Sequence, residues 1–303
     1  MAKGKGMLEG KVAIVTGSGR GLGRAHALAM AAEGAKIVVN DLGGEWDGTG
    51  QAKGPADDVV KEIKAMGGDA VANFESVTDF EAAQRIIASA VKHFGRLDIL
   101  VNNAGFLRDK MTFNMTKEEW DGVIQVHLTG TFNCGRHACT YFREQSKAGA
   151  PIKGRIINTM SHAGLLGNAG QANYASAKLG IGALTMVWAR EMEKYGMTAN
   201  AIVPMARTRM TTQTAGLGGM FEKKEGAFDD MAPENVSPLV VYLASDAAQN
   251  INGRWLSIRG GKLESWLSPQ LAKTIDIDRK WKPQEIAQRI KELGDLSLPQ
   301  MTL

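Results

Sequence analysis

The stretch KVAIVTGSGRGLGRAHALAMAAEG (11–34) decides the fold. Its first seven residues form a short apolar, β-branched run closed by glycine, which predicts a strand buried on both faces. From Leu22 to Glu33 the chain is rich in alanine and is stopped by Gly34, the pattern of a helix. Between them lies Thr16-Gly17-Ser18-Gly19-Arg20-Gly21-Leu22-Gly23. Gly17 and Gly21 let the backbone turn tightly and come close to a pyrophosphate. Gly23 lets the helix pack against the sheet, and the helix N-terminus offers free N–H groups to the anion. A glycine-rich turn alone says little. Strand, glycines and helix in that order point to a dinucleotide site with Gly17, Ser18, Arg20, Gly21 and Leu22 in contact.

Further along, short apolar runs alternate with helical ones. Strands are expected at 35–41, 69–75, 97–105, 154–161, 197–204 and 255–260, and helices at 56–66, 79–94, 116–145 (with a break near Gly130), 173–195 and 233–244. Strands that are apolar throughout and alternate with helices imply a parallel sheet covered on both faces. Right-handed crossovers then give an α/β, doubly wound arrangement of about seven strands in one domain, 1–261. A glycine-rich insertion, LGGEWDGTGQAKGP (42–55), and an extension, 262–303, stand outside this rhythm. The extension carries one helix, from Pro283 to Leu293, with Ile286, Ile290 and Leu293 on one face.

Composition narrows the classes. The 303 residues are 44% hydrophobic and 22% charged, as in ordinary globular proteins. The net charge of +4 is spread along the chain, so no nucleic-acid partner is expected. No apolar run approaches the ~18 residues of a membrane span. The N-terminus lacks the apolar core of a secretory signal, and the C-terminal MTL matches no address signal. Cys134 and Cys139, five apart on a predicted helix, point to different faces; they suggest neither disulfide nor metal site, and a cytoplasmic setting fits.

Asp41 ends the second strand, where a carboxylate can accept hydrogen bonds from adenosine ribose hydroxyls and repel the extra phosphate of NADP. NAD is therefore the expected cofactor; a turn aspartate before Gly43-Gly44 is the competing reading. A second constellation is Tyr174-Ala175-Ser176-Ala177-Lys178, with Ser161 thirteen residues before the tyrosine. Tyrosine and lysine at i and i+4 share a helical face. A phenol with a pKa of ~10 is a poor base at neutral pH unless a nearby cation stabilises its phenolate, and Lys178 can supply that cation and grip a nicotinamide ribose. Ser161, at a strand's end, can polarise a substrate oxygen.

TGSGRGLG, NNAG (102–105), Ser161 and YASAK together resemble the short-chain dehydrogenase/reductase family, with matches in order from Lys11 to about Gly261. The resemblance implies a Rossmann-like domain, a homodimer or homotetramer paired through helices 116–145 and 173–195, and proton transfer by Ser161, Tyr174 and Lys178. It adds Asn103, Ala104 and Gly105 to the cofactor site, with Asn102 and Ala104 steadying the sheet and touching the ribose. It further implies Ser76 and Val77 against the adenine, and the stretch from Pro204 to Thr208 beside the nicotinamide. In finer detail, VVNDLGG, NNAGFLRD, VHLTGTF and GNAGQANYASAKLG resemble the (3R)-hydroxyacyl-CoA dehydrogenase unit of multifunctional β-oxidation enzymes, a group that includes 17β-hydroxysteroid dehydrogenases and often bears a C-terminal extension. No hydratase domain follows, so a stand-alone dehydrogenase is expected.

Two positions depart from the wider family. His127 stands where an asparagine usually relays protons to the lysine. It either takes over that role or is a satisfied core histidine. Met205 replaces a glycine. The region 210–230 falls where the family keeps a substrate lid, and Arg108, Lys110 and Arg209 are candidates for CoA phosphates or ordinary surface charges. A (3R)-3-hydroxyacyl-CoA dehydrogenase leads the readings, ahead of a hydroxysteroid dehydrogenase. A non-catalytic NAD-binding regulator is the reading from another class, and such proteins tend to lose the tyrosine or lysine present here.

Overall fold

The computed structural model describes residues 6–212, 226 and 228–297. Eight strands form one sheet in the order β3-β2-β1-β4-β5-β6-β7-β8. The first seven, β1 (Val12–Thr16), β2 (Lys36–Asn40), β3 (Ala70–Asn73), β4 (Ile99–Asn102), β5 (Arg155–Thr159), β6 (Thr198–Pro204) and β7 (Trp255–Arg259), are parallel; β8 (Lys262–Trp266) returns antiparallel to β7. Sequence reasoning assigned residues 262–266 to the extension, because Lys262, Glu264 and Ser265 make the run polar. They nonetheless pair as an edge strand, where one side of the backbone faces outward and polar residues are at home.

Side chains alternate along β1. Ala13 and Val15 join the core on one face of the sheet, beneath α1 (Gly21–Ala32), α2 (Gly54–Ala65) and α9 (Ser237–Ala244). Val12 and Ile14 join the core on the other face, beneath α3 (Phe80–Phe94), α5 (Gly130–Lys147) and α7 (Ala172–Met192). A strand covered twice in this way must be apolar throughout, which is why it reads so plainly in the sequence.

The helices carry recognisable stops and starts. Asp79 accepts the Ala82 N–H to open α3, and Gly95, at φ 79°, closes it. Thr116 and Glu119 form a reciprocal capping box at the start of α4 (Lys117–Ile124). Between α4 and α5 the chain neither breaks nor stays regular: Gln125–Thr129 makes a π-turn, which inserts an extra residue into the helix. Two short helices, α6 (His162–Leu166) and α8 (Arg209–Thr212), follow β5 and β6.

Residues Met1–Trp266 form one compact unit and Leu267–Leu303 another. The second holds α10 (Pro283–Arg289), continued by a 3-10 turn at Ile290–Leu293, with ion pairs Arg279–Glu285 and Arg289–Glu292 and the Arg289 guanidinium 5.2 Å from the Trp281 ring centre. Among the described residues, no helix is long and apolar enough to cross a membrane.

Candidate active site

The sheet reverses its direction of winding between β1 and β4, and the loops leaving the C-terminal ends of these strands diverge there. Such a switch point opens a crevice at that end of the sheet. The crevice here is a cavity of about 500 Å³, within the usual range for small-molecule sites.

Its floor is the turn after β1. Gly17 and Gly21 adopt φ of 63° and 53°, and a Cβ on Gly17 would stand 2.7 Å from Ala104 Cα. A Cβ on Gly23 would stand 2.1 Å from the Gly17 carbonyl oxygen, so the close approach that glycine permits here is between helix and turn. Thr16 Oγ1 accepts the backbone N–H groups of Asn103 and Ala104 (3.0 and 3.1 Å), while Asn103 Nδ2 donates to the carbonyls of Thr16 and Gly17 (3.0 Å each). These bonds fasten the turn to the end of β4. Helix α1 begins with no side-chain cap and no acid in its first turn, so its leading N–H groups remain available to an anion. The cradle fits a dinucleotide pyrophosphate.

Most positions singled out from sequence line this one cavity: Gly17, Arg20, Gly21, Leu22, Asp41, Ser76, Val77, Asn103, Ala104, Gly105, Pro204 and Thr208, with His127, Ser161, Tyr174 and Lys178. Ser18 does not. Its hydroxyl turns inward and donates to the Val15 carbonyl at 2.7 Å, locking the turn from below. Asn102 likewise stays in the sheet, donating to Asn158 Oδ1 at 2.9 Å. Asp41 lines the cavity, and its carboxylate accepts the N–H groups of Gly19 (2.7 Å) and Gly43 (2.5 Å), as a turn aspartate does. Met205 Sδ accepts from Arg259 at 3.3 Å and does not line the cavity.

The insertion after β2 also belongs to the site. Gly44, Glu45, Trp46, Gly48, Gly50 and Gln51 line the cavity. The Trp46 carbonyl accepts the Leu107 N–H, the Asp47 carbonyl accepts Arg108 Nε, and Glu45 pairs with Arg209 on α8 at 2.7 Å and with Arg20 at 3.6 Å. The insertion is thus a strap across the crevice. Its position directly after Asp41, at the C-terminal end of a strand, was the available signal. Of the three candidate CoA contacts, Arg108 and Arg209 are engaged by the strap, and Lys110 donates its backbone N–H to Gly170. Most of the expected lid, residues 213–225 and 227, lies outside the described residues.

The candidate reacting groups converge from three elements. Ser161 caps α6, accepting the Ala163 N–H at 3.2 Å. Tyr174 and Lys178 lie one turn apart on α7, the ammonium 5.5 Å from the phenol ring centre, and Lys178 Nζ donates to the Thr159 carbonyl at 2.7 Å. His127 sits on the π-turn with its ring edge-on to Tyr174, centroids 5.1 Å apart. Its Nε2 engages the backbone of Phe106 (3.1 Å to N, 2.8 Å to O), while Nδ1, buried, has no partner among the described residues. A core histidine satisfied at both nitrogens is therefore not what the structure holds.

Burial dominates the electrostatics. It lowers the Lys178 ammonium to about 7 and pushes the Tyr174 phenol up to about 12, opposed by the Ser161 hydroxyl and reinforced by the charge of Asp109. In the protein alone, loss of water around the phenol thus outweighs the Ser161 hydrogen bond. His127 is held at about 3 by burial and then by the Lys178 charge, against its bond to Phe106, so the ring is neutral.

A family model, short chain dehydrogenase, matches residues 11–216. The hydroxyacyl-CoA dehydrogenase ChsB1 of Mycobacterium tuberculosis is 44% identical over 94% of this chain and 89% of its own. The peroxisomal hydratase-dehydrogenase-epimerase of Saccharomyces cerevisiae is 46% identical over 80% of this chain, which spans only 25% of that protein. Among solved structures, a short chain dehydrogenase from Mycobacterium avium superposes with a TM-score of 0.85 at 48% identity, covering 95% of each chain. The chain belongs to the short chain dehydrogenase family. It is an oxidoreductase acting on CH–OH groups with a nicotinamide cofactor, which sets aside the reading as a non-catalytic regulator.

Proposed function

We propose that the chain oxidises a (3R)-3-hydroxyacyl-CoA to the 3-ketoacyl-CoA with NAD. The observation that carries the reading is the buried Lys178 ammonium, tied to Thr159 and one helical turn from Tyr174, in the cavity that the glycine turn of β1 also lines. Two relatives bear names with hydroxyacyl-CoA dehydrogenase or hydratase-dehydrogenase in them, and the acyl-CoA substrate and its R configuration are taken from that likeness.

When bound, the oxidised nicotinamide supplies the hydride acceptor and a positive charge. Tyr174 takes the alcohol proton. Its phenol, held near 12 by burial, needs added positive charge to ionise, and Lys178 is the group of this chain placed to give it. Ser161 donates a hydrogen bond to the substrate oxygen and steadies the charge that develops there. Lys178, near 7, gains and loses a proton close to neutral pH, as a relay group must. His127 packs edge-on to the phenol and offers the unpartnered Nδ1 to a water or substrate group, so it stands in the relay in place of the asparagine.

Gly17, Arg20, Gly21 and Leu22 hold the pyrophosphate end, Asp41 the adenosine ribose, Ser76 and Val77 the adenine, and Asn103, Ala104, Gly105, Pro204 and Thr208 the remaining length of the cofactor. The Asp41 carboxylate, with Glu45 nearby on the strap, favours NAD over NADP. Exposed Phe132 on α5 and Leu179 and Val187 on α7 support pairing of these helices between copies in a homodimer or homotetramer. The two free thiols, Cys134 and Cys139, suit the cytoplasm. The domain is drawn as 1–266, with 267–303 as the extension.

The test is reduction of NAD followed at ~340 nm, an absorbance of the product cofactor, with (3R)- and (3S)-hydroxyacyl-CoA, a 17β-hydroxysteroid, and NADP in place of NAD. Preference for the (3R) thioester with NAD is expected. Turnover of the steroid alone would replace the substrate and leave the proton chemistry in place.

A further inference from the structure

Behind Tyr174, outside the residues that line the cavity, lies a carboxyl that the proton chemistry does not use. Asp109 follows β4 in the loop NNAGFLRD. Its Oδ2 accepts Gln171 Nε2 at 2.8 Å, and Gln171 Oε1 in turn accepts Asn168 Nδ2 at 2.9 Å. Its Oδ1 is buried and has no partner among the described residues. Gln171 is the residue before α7, is 4% exposed, and stands three positions from Tyr174. The same loop meets the same helix start twice more: the Lys110 N–H donates to the Gly170 carbonyl at 2.8 Å, and fully buried Asn173 donates to the Arg108 and Glu119 carbonyls at 3.0 Å each.

We propose that Asp109 and Gln171 are a positioning pair for Tyr174: their buried contact fixes the first turn of α7 against the loop after β4. This rests on Tyr174 as the proton-transfer residue. An apolar contact would hold the helix as firmly, so a half-buried carboxyl with one oxygen unmatched is costly unless its charge is used. Burial raises the Asp109 carboxyl above the usual range while the Gln171 bond draws it back, and the Asp109 charge raises the Tyr174 phenol. The other groups that meet this phenol are Lys178 on α7, neutral His127 from the π-turn and the Ser161 hydroxyl. Asp109 supplies the negative charge among them.

Two variants separate the roles. Asp109→Asn keeps an acceptor for Gln171 and removes the charge; Asp109→Ala removes both. The chain has four tyrosines, so protein labelled with 13C at tyrosine Cζ gives four resonances, and Tyr174→Phe identifies the one that matters without cofactor or turnover. In Asp109→Ala the Tyr174 resonance is expected to move, with kcat down about tenfold and the KM for NAD within twofold. In Asp109→Asn the resonance stays near its place, and the pH dependence of kcat for oxidation shifts to lower pH by ~0.5 unit or more. An unmoved resonance in Asp109→Ala together with an unmoved pH profile in Asp109→Asn overturns the proposal. If Asp109→Ala does not fold, the pH profile of Asp109→Asn decides alone. An inactive wild-type protein would sink the functional reading instead, and the resonances would still report on the pair.

Discussion

The His127 imidazole fills the space that a side chain on residue 105 would need. A Cβ built on Gly105 falls 2.1 Å from His127 Cε1 and 2.7 Å from Nδ1. The glycine after Ala104 therefore exists for the histidine, and the histidine in turn meets Tyr174 edge-on. Gly105→Ala must displace the ring. Chemical denaturation should show a loss of about 1–3 kcal/mol, the usual cost of overpacking, and kcat should fall with it. Adding His127→Ser should recover the stability and leave kcat low. A double variant no more stable than Gly105→Ala would mean that the clash is relieved elsewhere.

Removing the phenol hydroxyl removes the proton-transfer group and little else. Tyr174→Phe should lower kcat by about 10³-fold, within the range for a lost general acid or base, while NADH affinity by fluorescence titration stays within a few fold. Turnover within tenfold of the wild type would move the proton transfer to another residue.

Lys178 ties stability to pH. Its ammonium sits at about 7 in the folded chain against 10.5 when solvated, so between those values the unfolded chain binds more protons. Stability should therefore climb as pH rises from about 7 towards 10.5, and this contribution is absent below 7. Lys178→Met should flatten that climb, measured as urea midpoints at pH 7, 8, 9 and 10, and abolish activity. An unchanged slope would show that the amine is not held neutral by burial.

Acid should unfold the protein through buried neutral histidines. His26 on α1 is held at about 3 by burial, with Nδ1 2.9 Å from Ser237 Oγ and Nε2 unpartnered among the described residues. Its contribution falls away as pH drops from about 6.5 towards 3, because the unfolded chain takes up the proton first. His26→Asn should lessen the loss of stability between pH 6.5 and 4.5; equal slopes for variant and wild type would place the acid sensitivity elsewhere, His127 being the next candidate.

What could be read in advance follows from local chemistry. The parallel strands are apolar on both faces, so β1 and β2 announce themselves, and Tyr174 and Lys178 are joined by helical spacing alone. Other features depend on partners distant in sequence. The side chain of Ser18 in the glycine turn could face cavity or core, and the Asn40 carbonyl on the neighbouring strand, 3.3 Å from its hydroxyl, helps to decide it. The π-turn around His127 leaves no local mark: Gly130 suggested a break, yet the helix continues, and Gly130 makes room for Val77 from the loop after β3. Asp109 went unnoticed because an aspartate beside an arginine and a lysine reads as a surface charge, while the Gln171 that engages it lies 62 positions away.

The antiparallel return of β8 limits where this chain can be cut. A chain ended at Gly261, the domain boundary expected from sequence, would strip β7 of its outer neighbour. It would also take Trp266 from Ser257 and from the cluster around buried Trp255, uncovering that ring beside a row of unsatisfied amides. Such an edge recruits strands from other molecules. The shortened protein should come out as aggregate, whereas one ended after Trp266 keeps the polar edge strand that covers β7. Anyone trimming the chain for crystals or fusion should count those five residues as part of the body.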